Sequence, residues 1–154
     1  ENEIIRLAKK NTTDIVSARI FNVTGPGEPE RMVGGSIVSQ LKAKKEIRMG
    51  NLMSKRDFLD IRDVTNALAI IGEKGKREEV YNICSGKSIS IKEYLELIIK
   101  ELKTKPTIIV EKNKFNNNDI EDLVGDNSKI IEKLGWKIQF SLSDTIKDIV
   151  KEIN

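Results

Sequence analysis

Short β-branched runs alternate with longer amphipathic stretches along the whole chain, and that alternation restricts the fold to the α/β class. The runs IVSARIF (15–21), EIRM (46–49), FLDI (58–61), VYNIC (80–84) and TIIVE (107–111) predict short strands between turn residues. Between them, helical spacing puts Ile37, Val38 and Leu41 on one face of Met32–Lys44, and Val64, Ala67, Leu68 and Ile71 on one face of Asp63–Gly72. Ser90, with Glu93 three residues on, predicts a capping box and a helix to about Lys103 that buries Tyr94, Leu95, Ile98 and Leu102. A short helix over Asn127–Leu134 is stopped by Gly135, with Trp136 packed against it. A last helix over Ser141–Ile153, capped by Ser141 or Ser143, buries Leu142, Ile146, Ile149, Val150 and Ile153. Residues 1–10 read as a helix end with Ile4, Ile5 and Ala8 on one face and no N-cap before them, followed by a turn at Asn11–Asp14. So few short strands make too small a sheet for a complete doubly wound domain.

Composition removes several functions. The net charge of +3, from 27 basic and 24 acidic residues, is small and dispersed, and aromatics are only 5%, so no nucleic-acid partner is expected. There is no histidine, which excludes His-based triads and His-ligated metals. The single cysteine, Cys84, lies in an apolar run and reads as a small core residue. No apolar run approaches the ~20 residues that span a bilayer, and no leader is recognisable, so no membrane partner and a cytoplasmic location are expected.

Two loops carry the chemistry. The stretch NVTGPGEPE (22–30) follows the first run and has two Gly and two Pro. It predicts an irregular loop at the carboxyl end of a strand, where α/β proteins bind ligands. Asn22 stands first in it, an amide able to donate and accept; the competing reading is a turn-forming Asn. The stretch MGNLMSKRDFLDIRD (49–63) sets Arg56 at the lip of a strand. A guanidinium there suits an anion bidentately, as Lys55 would not. The competing reading is a surface cation paired with Asp57 or Asp60. Asp57, Asp60 and Asp63 are expected to fix local backbone and the helix start. Gly34-Gly35 suit close backbone approach, 112–118 (KNKFNNN) reads as a loop, and Leu123-Val124 as a short extended piece.

The pieces SARIFNVTGPGE, GNLMSKRDFLDIRDV, EVYNICSGKSISIKE and LVGDNSKIIEKLGW occur in this order. Together they resemble the C-terminal half of an extended short-chain dehydrogenase/reductase of the NAD-dependent nucleotide-sugar epimerase/dehydratase kind. The GNL-x-x-x-RDF form is similar to the branch of GDP-mannose 4,6-dehydratases and GDP-4-keto-6-deoxymannose reductases. The resemblance implies an incomplete Rossmann-like sheet (its last strands) plus a small α/β sugar-nucleotide-binding lobe. About 1–30 and 57–84 would end the sheet, and about 31–56 and 85–154 would form most of the lobe.

It also implies roles. Asn22 would contact the sugar or diphosphate of a nucleotide-diphosphate sugar, Val33 would line the base pocket, and Asn51 and Leu52 would lie near the base or ribose. Arg56 would pair with the diphosphate, and Phe21 would lie near the nicotinamide of NAD or NADP. Relatives often carry an Arg-Pro in the final loop, where Asn116 and Asn117 stand here; Asn116 can hydrogen-bond but cannot neutralise charge.

The family's Gly-rich cofactor turn and catalytic Tyr-x-x-x-Lys do not occur in this sequence: Tyr81 is followed four residues on by Ser85, and Tyr94 by Ile98. Both are expected N-terminal to Glu1, in a longer parent protein of which this would be an inactive piece. Such enzymes are commonly homodimers. The rival readings are a UDP-sugar 4-epimerase and a non-enzymatic interaction module. A chain of this extent is expected to expose the apolar face of its sheet and to associate; a strictly monomeric, cooperatively folding chain in sedimentation would contradict that.

Overall fold

The computed structural model describes residues 2–10, 14–43, 46–115 and 119–153. Helix α1 (Asn2–Lys10) precedes strands β1 (Ser17–Ile20) and β2 (Asn22–Thr24). Helix α2 (Val33–Ala43) leads to β3 (Glu46–Met49), β4 (Lys55–Arg56) and β5 (Phe58–Asp60), and then to α3 (Ile61–Lys74). Strands β6 (Val80–Ile83) and β7 (Ile89–Ser90) come before α4 (Ile91–Leu102). Strands β8 (Thr107–Val110) and β9 (Asp122–Leu123) precede the closing helices α5 (Ser128–Leu134) and α6 (Leu142–Lys151). Expectations about the Ile4, Ile5 and Ala8 side chains, the turn at 11–13, Lys44, and Asn116 and Asn117 lie outside the described residues.

The fold is α/β, built from short parallel pairs joined by helical crossovers, as the alternation predicts. Strand β1 runs parallel to β6, with Ser17 opposite Val80 and Ile20 opposite Ile83. The chain stays extended past Phe21, whose N–H donates to the Ile83 carbonyl at 3.1 Å. It then changes partner: β2 runs parallel to β5, with Asn22 opposite Phe58. Asn22 therefore sits in a strand and not at the start of a loop, because β5 offers a second ladder; the loop begins at Gly25. The 15–21 run is only partly buried. Ile20 is 46% exposed, since among the described residues β1 pairs with β6 alone. Strand β3 pairs with β8 in parallel, and β4 lies between antiparallel β7 and parallel β9.

Helix α3 begins two residues before the expected start because Asp60 caps it: the Asp60 carboxylate accepts from the Arg62 N–H at 2.8 Å. It runs through Gly72 to Lys74, since one glycine costs a helix only about 1 kcal/mol. The chain then turns at Gly75, whose N–H donates to the Ile71 carbonyl at 2.8 Å. The capping box of Ser90 and Glu93 is formed, and Ser141 makes a second one with Asp144. Gly135 ends α5 at φ 71°, in the left-handed region that favours glycine.

Two hydrophobic cores meet at β5. Phe58 faces one, stacked on Tyr94 with ring centroids 4.4 Å apart, among residues of α2, β3, α4 and α6. Leu59, on the opposite face, joins Val64, Tyr81, Ile83, Ile130 and Trp136 in the other. Trp136 is fully buried and donates from Nε1 to the Asp63 carbonyl at 3.3 Å. Replacing it (Trp136→Ala) should cost about 3–5 kcal/mol of unfolding free energy in urea titration, with the midpoint falling accordingly.

Candidate functional site

Residues 56–63 place two cations, Arg56 and Arg62, and three buried carboxylates where strands and loops converge. Asp57, Asp60 and Asp63 are at most 3% exposed. Asp57 accepts from the Ser85 N–H at 2.7 Å and its hydroxyl at 2.6 Å, and from the N–H groups of Gly86 at 3.0 Å and Gly125 at 3.1 Å. Asp60 accepts from Arg62 through its backbone N–H, Nε and Nη2, and from the Thr145 hydroxyl at 2.7 Å. Burial pushes the Asp60 carboxyl up, but these donors outweigh it and hold it below its ordinary value. Asp63 accepts from the N–H groups of Gln139 at 2.9 Å and Phe140 at 3.1 Å. The expected local role holds for Asp60 at the helix start. The longer reach of all three was not expected: they tie β5 and α3 to segments 28 to 85 residues away.

Arg56 pairs with neither Asp57 nor Asp60. Its Nη2 bonds Asp119, and its Nη1 donates to the carbonyls of Lys55 and Ile120, each at 2.7 Å. Asp119 is also held by the Ser54 hydroxyl at 2.8 Å. The Arg56 side chain keeps 16% of its surface exposed. Of its five N–H donors, Nε and one hydrogen of Nη2 have no partner among the described residues. A cleft of about 420 Å³ is lined by its chain neighbours Ser54 and Lys55 with Asn51, Met53, Glu121 and Asp122; Arg56 itself is not in that lining.

The other sequence candidates fall around this strand. Asn22 lies alongside Phe58, and its side-chain amide reaches the carbonyl of Asp57, the residue after Arg56, at 3.5 Å. Asn51 folds its own loop, accepting from the Met53 N–H at 2.9 Å. Leu52 packs on the first core, and its carbonyl accepts from the Lys92 N–H at 2.9 Å. Val33 opens α2 and packs on the same core, outside the lining of the 420 Å³ cleft. Phe21 is half-buried; a Cβ at Gly125 would strike both its ring and the Cys84 sulfur, so the three form one close contact. Burial, reinforced by Asp57, pushes the Cys84 thiol up to about 12, which fits the expected inert core residue. Asn116 lies outside the described residues.

Sequence spacing missed a second polar cluster. The Thr24 hydroxyl lies 2.6 Å from the Tyr94 hydroxyl and donates to Glu28 Oε2 at 3.0 Å, while Glu28 Oε1 accepts from the Gly34 N–H at 2.9 Å. A Cβ at Gly34 would strike both Glu28 and Tyr94, the close approach expected of Gly34-Gly35. The cluster underlies a cleft of about 280 Å³ lined by residues 23–29, Arg31, Met32 and Ile61. A carboxylate inside a Gly/Pro loop was the signal available for it. Asp119 had none, because its partner is 63 residues away.

A family model described as GDP-mannose 4,6 dehydratase matches residues 3–149, and the chain belongs to that family of the short-chain dehydrogenase/reductases. It is 26% identical to GDP-6-deoxy-D-mannose reductase of Pseudomonas aeruginosa, over 90% of this chain and 47% of the relative. It is 30% identical to GDP-6-deoxy-D-talose 4-dehydrogenase of Aggregatibacter actinomycetemcomitans, over 90% of this chain and 47% of the relative. The chain thus spans about half the length of these curated relatives. Its fold matches the solved structure of RMD from Pseudomonas aeruginosa complexed with NADPH, with TM-score 0.90 and 23% identity, over 99% of this chain and 52% of that one.

Glu28 gives the site a pH signature. Burial raises its carboxyl above the ordinary 4.5, against the opposing bonds from Thr24, Gly34, Gly35 and Gly25. The protonated form therefore favours the fold, and its contribution is full below 4.5 and lost as pH rises through the raised value. Glu28→Gln should lose no stability over that rise. Thermal melts from pH 4 to pH 7 should show the variant gaining steadily on the wild type; parallel curves would contradict this.

Proposed function

We propose that this chain is the substrate-binding part of an NAD(P)-dependent enzyme of nucleotide-sugar conversion, a GDP-6-deoxyhexose reductase or dehydratase. The observation that carries the reading is Arg56: a partly exposed guanidinium, with Nε and one Nη2 hydrogen unpartnered among the described residues, next in the chain to the cleft-lining Lys55, in a chain of this family. Arg56 pairs with the diphosphate through charge-assisted bonds. Asn22, anchored by its ladder to β5, presents its amide to the sugar or diphosphate. Asn51 and Leu52 meet the base or ribose, and Val33 lines the base pocket from the start of α2. Asn116 adds a hydrogen bond in the final loop.

A nicotinamide cofactor, when bound, supplies the hydride exchanged with the sugar. The half-buried Phe21 ring, backed by Gly125 and Cys84, offers an apolar face suited to a planar ring. This chain's residues bind and orient. Proton transfer at the sugar C4 oxygen falls to a Tyr-x-x-x-Lys pair that its sequence does not contain, so the chain alone binds without turning over.

Isothermal titration tests the reading. GDP should bind more tightly than UDP, and Arg56→Gln should weaken GDP by about 10- to 100-fold, the scale of a charge-assisted hydrogen bond. Clear preference for UDP would transfer the chain to the 4-epimerases. Unchanged affinity in Arg56→Gln would remove the diphosphate role, and no nucleotide binding at all would favour an interaction module.

A further inference from the structure

Between the strand that carries Asn22 and the helix that begins at Val33, the chain crosses an open loop. Of residues 26–32 only Glu28 is half-buried, and the rest are exposed. Gly27 takes the left-handed region at φ 77°. The body of α2 is fixed by Ile37 and Val38 in the first core. Its first turn holds Gly34 and Gly35, which have no side chain to pack. Apolar burial therefore does little to set the start of α2 against the end of β2.

The Glu28 carboxylate joins the two. Its Oε2 accepts from the Thr24 hydroxyl at 3.0 Å, and its Oε1 accepts from the Gly34 N–H at 2.9 Å. Thr24 is buried, ends β2 and lies two residues after Asn22, so both side chains leave the same face of the strand. Gly34 directly follows Val33. A hydroxyl has one hydrogen, so with Thr24 donating to Glu28, Tyr94 is the donor across the 2.6 Å contact with Thr24. Tyr94 is itself buried and stacked on Phe58. A Cβ at Gly35 would strike the carbonyls of Glu28 and Pro29, so the loop rests directly on the helix turn.

We infer that Glu28 is a positioning residue for nucleotide recognition: it holds the start of α2, with Val33, at a fixed distance from β2, with Asn22, so that one ligand meets its base and diphosphate contacts together. This rests on the proposed roles of Val33 and Arg56. When Glu28 is lost, Asn22 keeps its place through the β2–β5 ladder, whereas the first turn of α2 is freed. The effect therefore falls on the base end of the ligand. Glu28 supports base selectivity without touching the nucleotide.

The test titrates GDP, UDP and inorganic pyrophosphate, a base-free probe, into the wild type, Glu28→Ala, Glu28→Gln, Thr24→Val, Val33→Ala and Arg56→Gln. Glu28→Ala should bind GDP about five- to tenfold more weakly, the ordering cost of a freed segment. Its affinity for pyrophosphate should be unchanged, and its preference for GDP over UDP should shrink. Glu28→Gln keeps an acceptor for Gly34 and a hydrogen-bonding group for Thr24, and should bind GDP like the wild type. Thr24→Val removes the strand end of the bridge and should show the same selective loss. Added to Glu28→Ala, it should cost little more, because both break one link.

Equal losses of GDP and pyrophosphate in Glu28→Ala, or no loss of either, overturn the inference; a selective loss in Val33→Ala then leaves the base pocket standing. GDP bound alike by the wild type, Val33→Ala and Arg56→Gln, or not bound at all, overturns the inference together with the proposed site. Should Glu28→Ala fail to fold, the other two variants decide. Full GDP preference in Thr24→Val, or a selective loss in Glu28→Gln as large as in Thr24→Val, overturns the inference.

Discussion

Three carboxylates buried within residues 57–63 hold this structure together across long distances in sequence. A buried carboxylate is tolerated only when its oxygens are satisfied, and losing a donor leaves a costly unpaired charge. Each of the three is satisfied by a different segment: the turn after β6 and Gly125 for Asp57, α6 and Arg62 for Asp60, the 139–140 turn for Asp63. Among the described residues no buried side-chain polar atom is left without a partner. Among the described residues the sheets are pairs and one triplet of short strands, so backbone ladders alone fix little of the architecture. The aspartates supply the remaining constraints, each at a place where the chain turns.

The same stretch explains how a scaffold and a binding site share residues. Phe58 and Leu59 point into opposite cores, so β5 is pinned from both faces. Asp57 fixes the strand end and the facing loops. Arg56, next in the chain, therefore emerges from a rigid base, and the β2–β5 ladder sets Asn22 opposite Phe58, two residues on. A site on such a base has little ordering entropy left to lose on binding.

Much of the fold was legible because its signals are local. The capping box at Ser90, the stop at Gly135, the burial of Trp136 and the faces of α2, α4 and α6 follow from residues within a few positions of one another; on α3, Val64, Ala67 and Ile71 face inward as expected but Leu68 is 42% exposed. The extended course of Asn22–Thr24 was not legible, since it depends on a partner strand near residue 58. The start of α3 was misjudged because Asp60 reads as a strand residue until its cap bond to Arg62 is seen. At the site, Arg56 could be singled out from its place in the loop. Its partner Asp119, the Thr24–Glu28–Tyr94 cluster and the reach of Asp57 all depend on contacts between distant segments, which residue spacing does not encode.

Amide hydrogen exchange on Asp57→Asn, followed residue by residue, tests the organising role of these carboxylates most directly. The account predicts that the amides of Ser85, Gly86 and Gly125 lose protection together, although they belong to two separate segments. The amides of Gln139 and Phe140, held by Asp63, should keep theirs. Unchanged protection at Ser85, Gly86 and Gly125 would contradict the account.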